Sequence, residues 1–454
     1  MKTYDIAIIG SGPGGYVAGL YASRHGLNVA VIEKDFVGGT CLNRGCISTK
    51  SLLNSVSIFS KIKKAAALGV KAEGVSLDFA RMMARKNEVV ARLRAGIETL
   101  FRAAGVDLVR GQARLKGPGA ISVAGIGDLK ANNIIIAAGS RVAEIPSIRI
   151  DGSSVLSSDN VLDINAIPAS ILIVGGGVIG CEFANLFNKL GSKVTIVEIT
   201  ETLIPTQSRE IAKKLELIMK KEGVDIYLAS KVESIEKRTD ISVKISGGRS
   251  VDVEKVLVSV GRRPNTESLG LEEVGIKTES GRICVDEYLR TSADGIYAIG
   301  DCVSGPLLAH KASYDGILAC DNIMGKNRRV DYSNIPNCIW TDPEIASVGL
   351  SEEGAKASCA DVKTAKFPYI ASGKAYLEAE TEGFVKIIGN SGGDILGVEI
   401  FGKDACNLIG EATLARTMGI KVNEWSRVVH AHPTLSEILQ EASHAFCGKA
   451  IHGI

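Results

Sequence analysis

Residues 4–33 read YDIAIIGSGPGGYVAGLYASRHGLNVAVIE, and this stretch decides the fold. Its first apolar run, residues 4–9, predicts a short buried strand; residues 13–25 read as a helix, and residues 27–32 as a second strand ending at Glu33. Between strand and helix lies Gly10-x-Gly12-x-x-Gly15. Glycines there let the backbone approach a pyrophosphate, which sits on the helix N-terminus, and an acid at the end of the second strand is placed for an adenosine ribose. The unit recurs at residues 170–198, SILIVGGGVIGCEFANLFNKLGSKVTIVE, with Gly175-x-Gly177-x-x-Gly180 and a terminal Glu198. Gly10 precedes Glu33 by 23 residues, as Gly175 precedes Glu198. Two such units on one chain imply two dinucleotides, a pattern that fits a flavin held permanently and a nicotinamide that exchanges. Glu198 favours NAD over NADP, because a carboxylate accepts from a free 2′-hydroxyl and repels a 2′-phosphate. The residues after it, ITETLIPT, carry no Arg or Lys.

Composition agrees with a several-domain globular protein. The 454 residues are 45% apolar and 23% charged, and 53 Lys+Arg against 51 Asp+Glu give a net charge of +2. No basic excess points to nucleic acid or an anionic membrane, and Lys61, Lys63 and Lys64 read as a solvated helix face. The uncharged stretch 6–23 is too glycine-rich for a membrane helix, and no basic leader precedes it, so a cytoplasmic location is expected. Ten cysteines are too sparse for a disulfide scaffold and include no C-x-x-C pair, so no metal site is expected. The regular interval of Cys284, Cys302, Cys320 and Cys338 reads as chance, and most of these thiols as small buried hydrophobes.

Directly after the first unit comes GGTCLNRGCISTK, residues 38–50. Cys41 and Cys46 stand five apart before a helical run and can form a disulfide, with Cys46 near a helix N-terminus that favours its thiolate. Lys50, four residues on, shares that helical face. In a reducing compartment a disulfide beside a flavin site would be catalytic rather than a staple. A thiol centre needs a base. Of six histidines, His432 lies in HAHPTLSE, where Glu437 could hold one imidazole nitrogen while the other takes a proton. An HxH metal site would need further ligands, and the segment offers only Glu437; a core histidine is the plainer alternative. Residues 134–139 read as a buried strand ending in small residues, and a later strand ends at Gly300-Asp301, an acid placed for a ribityl or ribose hydroxyl. From about Tyr332 strand-like and helix-like runs alternate without a further phosphate loop.

Together these motifs resemble the flavoprotein disulfide reductases, most closely the dihydrolipoamide dehydrogenases, over nearly the whole chain from Tyr4 to Glu441. GGTCLNRGC resembles the family's active disulfide, AHPTLSE its base motif, and LLAHKA (residues 307–312) the lipoamide branch. The resemblance implies an α/β protein of two Rossmann-like dinucleotide-binding domains, the second inserted in the first, plus a C-terminal α+β dimerisation domain. The expected divisions are residues 1–142 with 264–331 for FAD, 143–263 for NAD and 332–454 for the dimer interface. It implies oxidation of protein-bound dihydrolipoyl groups with reduction of NAD, as a component of 2-oxo acid dehydrogenase or glycine cleavage complexes; the alternative is a reductase of another low-molecular-weight disulfide. Cys41 would be the interchange thiol and Cys46 the flavin-facing one. Lys50 would pair with Glu182, and His432, held by Glu437, would serve the disulfide of the other subunit in a homodimer whose further partner is a lipoylated carrier. FAD would be held by Gly10, Gly12, Pro13, Gly14, Gly15, Glu33, Lys34, Gly39, Thr40, Cys41, Lys50, Ala113, Ala138, Gly139, Ser140, Asp301, Leu308, Ala309 and His310. NAD would be held by Gly175, Gly177, Val178, Ile179, Gly180, Glu182, Glu198, Val232 and Gly261. The chain departs from the family at Ser48-Thr49, where Pro-Ser is usual, and at Ala138, where Thr is usual. These departures are expected to loosen the disulfide helix or to alter flavin contacts, and they remove no catalytic group.

Overall fold

The computed structural model describes residues 3–237 and 240–452; the outermost ends of the expected first and last divisions, and residues 238–239 of the second, lie outside them. The first glycine unit forms Thr3–Ile9, Pro13–Arg24 and Val29–Glu33. The helix stops one residue earlier than the sequence suggests, because His25 caps it with its N–H on Ala22. The second strand starts later because the Leu27 N–H is also taken by the Ala22 carbonyl.

Thr3–Ile9 lies between Val29–Glu33 and Gly127–Ile136, parallel to both, with Ile8 opposite Val31 and Ile135. The sheet continues outward to Asp107–Arg110 on one side and through the antiparallel Ala120–Val123 and Ala113–Gly117 on the other. The late strand Ile296–Ala298 returns to pair with the end of Gly127–Ile136, so the chain comes back to its first sheet after building another. The strand expected at residues 134–139 is the end of a longer one; its ladder stops at Ile136, and the chain turns through Gly139 at φ 69°.

The second sheet is wholly parallel, in the order Asp225–Tyr227, Lys193–Val197, Ser170–Val174, Lys255–Val258, Val155–Ser157. Its inner strands are near-continuous runs of buried Ile, Leu and Val, as a sheet covered on both faces requires, whereas the edge strand Asp225–Tyr227 is not buried. The third sheet is antiparallel: Asn337–Ile339, Ile345–Gly349, Ile395–Gly402, Gly383–Gly389, Lys363–Pro368. Ala405–Thr417 and Glu437–Phe446 cover it around the buried Trp425 and Tyr369. Among the described residues no helix is long and apolar enough to cross a membrane.

Pro13–Arg24 crosses Ala309–Ile323 at close range. A Cβ at Gly316 would stand 2.5 Å from the Gly14 carbonyl oxygen, and one at Gly14 would stand 3.0 Å from that of Ala312. The two glycines therefore set how closely the first glycine turn packs on the late helix. Gly316→Val forces these backbones apart and is expected to destabilise the protein by about 1–3 kcal/mol. Denaturant unfolding checks this, and an unchanged midpoint would remove the packing argument.

Candidate active site

Cys41 and Cys46 meet because two helices join through one glycine. Gly39–Arg44 carries Cys41, and Cys46 is the first residue of Cys46–Lys64. A Cβ at the linking Gly45 would lie 3.1 Å from the Thr40 carbonyl oxygen and 3.3 Å from Cys41 Cα, so only a small residue lets the second helix start against the first. Ser48 is hydrogen-bonded across this junction. It is fully buried, and its hydroxyl donates to the carbonyls of Leu42 (3.2 Å) and Asn43 (2.8 Å), two of the orphan acceptors at the end of the preceding helix. Asn43 secures the same turn, donating to Val37 and Gly39 and accepting from Arg94.

The two cysteines stand as free thiols in hydrogen-bonding contact. That bond from Cys41 is the main cause holding Cys46 down to about 7; enclosure by protein opposes it, the Lys50 ammonium adds to it and Glu182 opposes it. The same contact, together with burial, pushes the Cys41 thiol up. Cys46 is thus the thiolate of the pair, at the helix terminus where a negative charge is favoured. Lys50 Nζ donates to both oxygens of Glu182, at 2.9 and 2.8 Å, and lies 4.6 Å from the centre of the Trp340 ring. The Trp340 N–H donates to the same Glu182 at 3.1 Å.

Both glycine turns open on one continuous cavity of about 1550 Å³, which Cys41, Cys46, Lys50 and Glu182 also line. That exceeds a usual single-ligand pocket. The copies match closely. Gly10 and Gly175 have φ 102° and 104°, and a Cβ on them would stand 2.3 Å from the Ala137 and 2.6 Å from the Ser259 carbonyl oxygen. Before Gly177 nothing lies within 4 Å, and before Gly12 only Gly39 Cα at 4.0 Å, so each helix N-terminus faces open space. Residues and cavity therefore fit two dinucleotide pyrophosphates. Gly15 and Gly180 do not line the cavity; a Cβ there would lie 1.9 or 2.0 Å from the carbonyl oxygen of the first glycine, so their role is packing helix on turn.

Each terminal acid braces its own turn. Glu33 Oε2 accepts from the Ser11 N–H and hydroxyl (2.8 and 2.6 Å), and Oε1 from the Asp35 N–H (2.8 Å). Glu198 Oε2 accepts from the Gly176 N–H (2.5 Å), and Oε1 from the Thr200 N–H and hydroxyl (2.8 and 2.9 Å). Both still border the cavity, as do Pro13, Gly14, Lys34, Gly39, Thr40, Ala113, Ala138, Gly139, Ser140, Asp301, Leu308, Ala309, His310, Val178, Ile179, Val232 and Gly261. Asp301 Oδ2 accepts from the Ser140 hydroxyl at 2.5 Å. Its turn is fixed by a wholly buried ion pair, Lys311–Asp315 at 2.8 Å: Lys311 donates to the Gly300 carbonyl, and Asp315 accepts from the Gly300 N–H.

His432 and Glu437 are not in this cavity. His432 Nδ1 lies 2.9 Å from Glu437 Oε1, and Oε2 of that carboxylate accepts from the Thr434 N–H at 2.8 Å. Partial burial works against these bonds, which together hold the Glu437 carboxyl below its ordinary range. The imidazole is 79% exposed, with Nε2 left for an incoming group. Sequence reasoning missed several neighbours. Arg262 donates to Ser140 (2.8 Å) and Thr40 (3.4 Å) across the flavin-side wall. Lys231, a cation outside the eight residues after Glu198, borders the cavity beside Ser230, whose N–H donates to the Glu198 carbonyl. Trp340 and Cys338 enter from the third unit.

Residues 4–316 match the family described as pyridine nucleotide-disulphide oxidoreductase, and residues 335–443 match the dimerisation domain of the same name. The chain belongs to this family. It is 43% identical to a dihydrolipoyl dehydrogenase of Bacillus subtilis (strain 168), covering 99% of both chains. It is 41% identical to one of Thermus scotoductus, covering 100% of this chain and 99% of the other. Among solved structures, LpdA from Mycobacterium tuberculosis superimposes with a TM-score of 0.92 at 28% identity, over 98% of this chain and 99% of that one. As a pyridine nucleotide-disulphide oxidoreductase, the chain is a flavoprotein oxidoreductase with FAD and NAD as cofactors and a subunit of a homodimer.

In the reduced enzyme, alkylation of Cys46 by iodoacetamide should follow a titration with a midpoint near pH 7. Lys50→Met removes a cation that lowers this midpoint and should shift it up. Glu182→Gln removes an anion that raises it and should shift it down. Movement of both variants in one direction would contradict the electrostatics.

Proposed function

We propose that this chain is a dihydrolipoyl dehydrogenase, oxidising protein-bound dihydrolipoyl groups through a Cys41–Cys46 disulfide. The observation that carries the reading is the thiol pair itself, set on a cavity that both glycine turns share with the Lys50–Glu182 pair. Full-length similarity to dihydrolipoyl dehydrogenases supports it. A dihydrolipoyl thiolate attacks Cys41 Sγ of the disulfide; the sulfur–sulfur bond breaks and Cys46 leaves as the thiolate that its surroundings favour. The second lipoyl thiol gives its proton to His432 of the partner subunit and attacks the lipoyl sulfur of the mixed disulfide. Lipoyl disulfide departs, and Cys41 and Cys46 hold the electron pair. Bound FAD supplies the two-electron chemistry that carries this pair on to NAD as hydride. Lys50 holds Cys46 anionic, Glu182 holds Lys50, and Glu437 orients His432.

The division into residues 1–142 with 264–331, 143–263 and 332–454 belongs to this proposal and is supported by the three main sheets. A reducing, cytoplasmic location suits ten cysteines that all stand as free thiols. A lipoylated carrier is the expected partner, in a 2-oxo acid dehydrogenase or glycine cleavage assembly.

A paired rate assay tests the reading. Dihydrolipoamide with NAD should turn over rapidly, and glutathione disulfide with NADPH should not; the reverse would keep the redox centre and replace the substrate. Cys46→Ser should abolish thiol turnover with FAD still bound. His432→Gln should lose roughly 10²–10⁴-fold in rate. Co-expressing Cys41→Ser with His432→Gln should restore about a quarter of wild-type activity, since random pairing leaves that share of shared sites intact. No recovery in isolated heterodimers would overturn the partner-subunit role of His432.

A further inference from the structure

A second pair of thiols lies beside the first. Cys338 sits on Asn337–Ile339 and Cys406 in the first turn of Ala405–Thr417. Their side chains interlock: Cys338 Sγ is 3.9 Å from the Cys406 carbonyl oxygen, and Cys406 Sγ is 3.7 Å from those of Ile339 and Ile345, which are paired across the sheet. The thiols are in mutual hydrogen-bonding contact. Cys338 lines the same cavity as Cys46, beside Asn337 and Trp340, whereas Cys406 sits behind it with its N–H on Glu344 at 3.1 Å. The electrostatic asymmetry of the first pair is repeated. The Cys406 contact holds the Cys338 thiol below its ordinary value against burial and Glu344, and the Lys50 ammonium assists. The same contact and burial push Cys406 up. Cys181, Cys302 and Cys320 are instead buried, isolated from the cavity, and pushed up by burial.

We propose that Cys338 and Cys406 are a second redox-active dithiol, which closes to a disulfide by exchange with low-molecular-weight disulfides entering the cavity. The Cys338 thiolate attacks one sulfur of the small disulfide, whose sulfur–sulfur bond breaks; a mixed disulfide forms at Cys338 and one small thiolate leaves, taking a proton from solvent. Cys406 then gives up its proton and attacks Cys338 Sγ, the mixed disulfide breaks, and the second small thiol leaves. The protein dithiol is oxidised by two electrons, and the small disulfide is reduced to two thiols. Closure ties the strand Asn337–Ile339, which Trp340 directly follows beside the Lys50–Glu182 pair, to the Ala405–Thr417 helix.

The test uses the FAD-bound enzyme, reduced, desalted and incubated with glutathione disulfide, followed by non-reducing peptide mapping. A Cys338–Cys406 cross-linked peptide, reversed by dithiothreitol, is expected in the wild type and equally in the Cys41→Ser/Cys46→Ser variant. Cys406→Ser should stall with glutathione on Cys338. Absence of both the cross-link and the adduct, in digests where the exposed Cys284 is glutathionylated, would overturn the proposal. So would a stable wild-type adduct on Cys338 with no cross-link. The wild-type arm decides the matter even where a variant loses FAD.

Discussion

One buried carboxylate, Glu182, is the point at which the three units of the chain meet. It belongs to the helix after the second glycine turn, takes both hydrogen bonds from Lys50 on the cysteine helix, and accepts the backbone N–H of Trp340 from the C-terminal sheet. Its side chain is only 4% exposed, while that of Lys50 is 26% exposed. A carboxylate so placed is costly without its cation; removing one partner of a buried pair typically costs about 3–5 kcal/mol. The charge that steadies the Cys46 thiolate is therefore also a structural tie, and the cysteine helix cannot shift without uncovering Glu182.

The rest of the cavity depends on a second constraint, met twice by the same means. A glycine turn facing a pyrophosphate must be rigid, yet no side chain can brace it from the ligand side. In both copies the strand-ending acid braces it from behind, one oxygen taking the N–H after the first glycine and the other the N–H two residues beyond the acid. The acid is thereby oriented before any ribose arrives, so little ordering remains to be done on binding. The Lys311–Asp315 pair plays the corresponding part for the Gly300-Asp301 turn, clamping both the carbonyl and the N–H of Gly300. Burying two charges contributes little net stability, and its effect here is to fix one backbone geometry.

Much of this was legible in the sequence because it is local. Glycine spacing, acid spacing and the two cysteines each fall within one short segment, and local chemistry dictates their conformation. What stayed hidden depends on residues the fold brings together. Ser48 read as the loss of a proline; its hydroxyl instead bonds two carbonyls of the preceding helix, a compensation visible only once the Gly45 junction places that helix end above it. Lys231 lies well beyond the eight residues that follow Glu198 and comes to the cavity through the strand order of the second sheet. Arg262 binds Ser140 and Thr40, so its role spans three separate segments of the chain. Cys338 and Cys406 are 68 positions apart, and no spacing rule joins a strand to a helix start at that distance. The even interval from Cys284 to Cys338 joins residues that share no site.

The position of the proposed base completes the logic of the assembly. His432 is oriented by Glu437, which is in turn fixed by the Thr434 N–H, yet the exposed imidazole does not line the cavity of its own chain. An oriented and accessible base outside the cavity that Cys41 and Cys46 line does not serve that thiol pair in a monomer. The segment that carries it lies within the dimerisation domain, and under the proposal above a two-fold pairing of that domain would give each subunit the other's histidine at once. On that arrangement a dihydrolipoyl group must reach Cys41 between subunits. The glycine turns proposed for FAD and NAD both line a cavity of a single chain. Cofactor binding would then survive loss of the dimer, and thiol exchange would not, because its proton acceptor belongs to the neighbour.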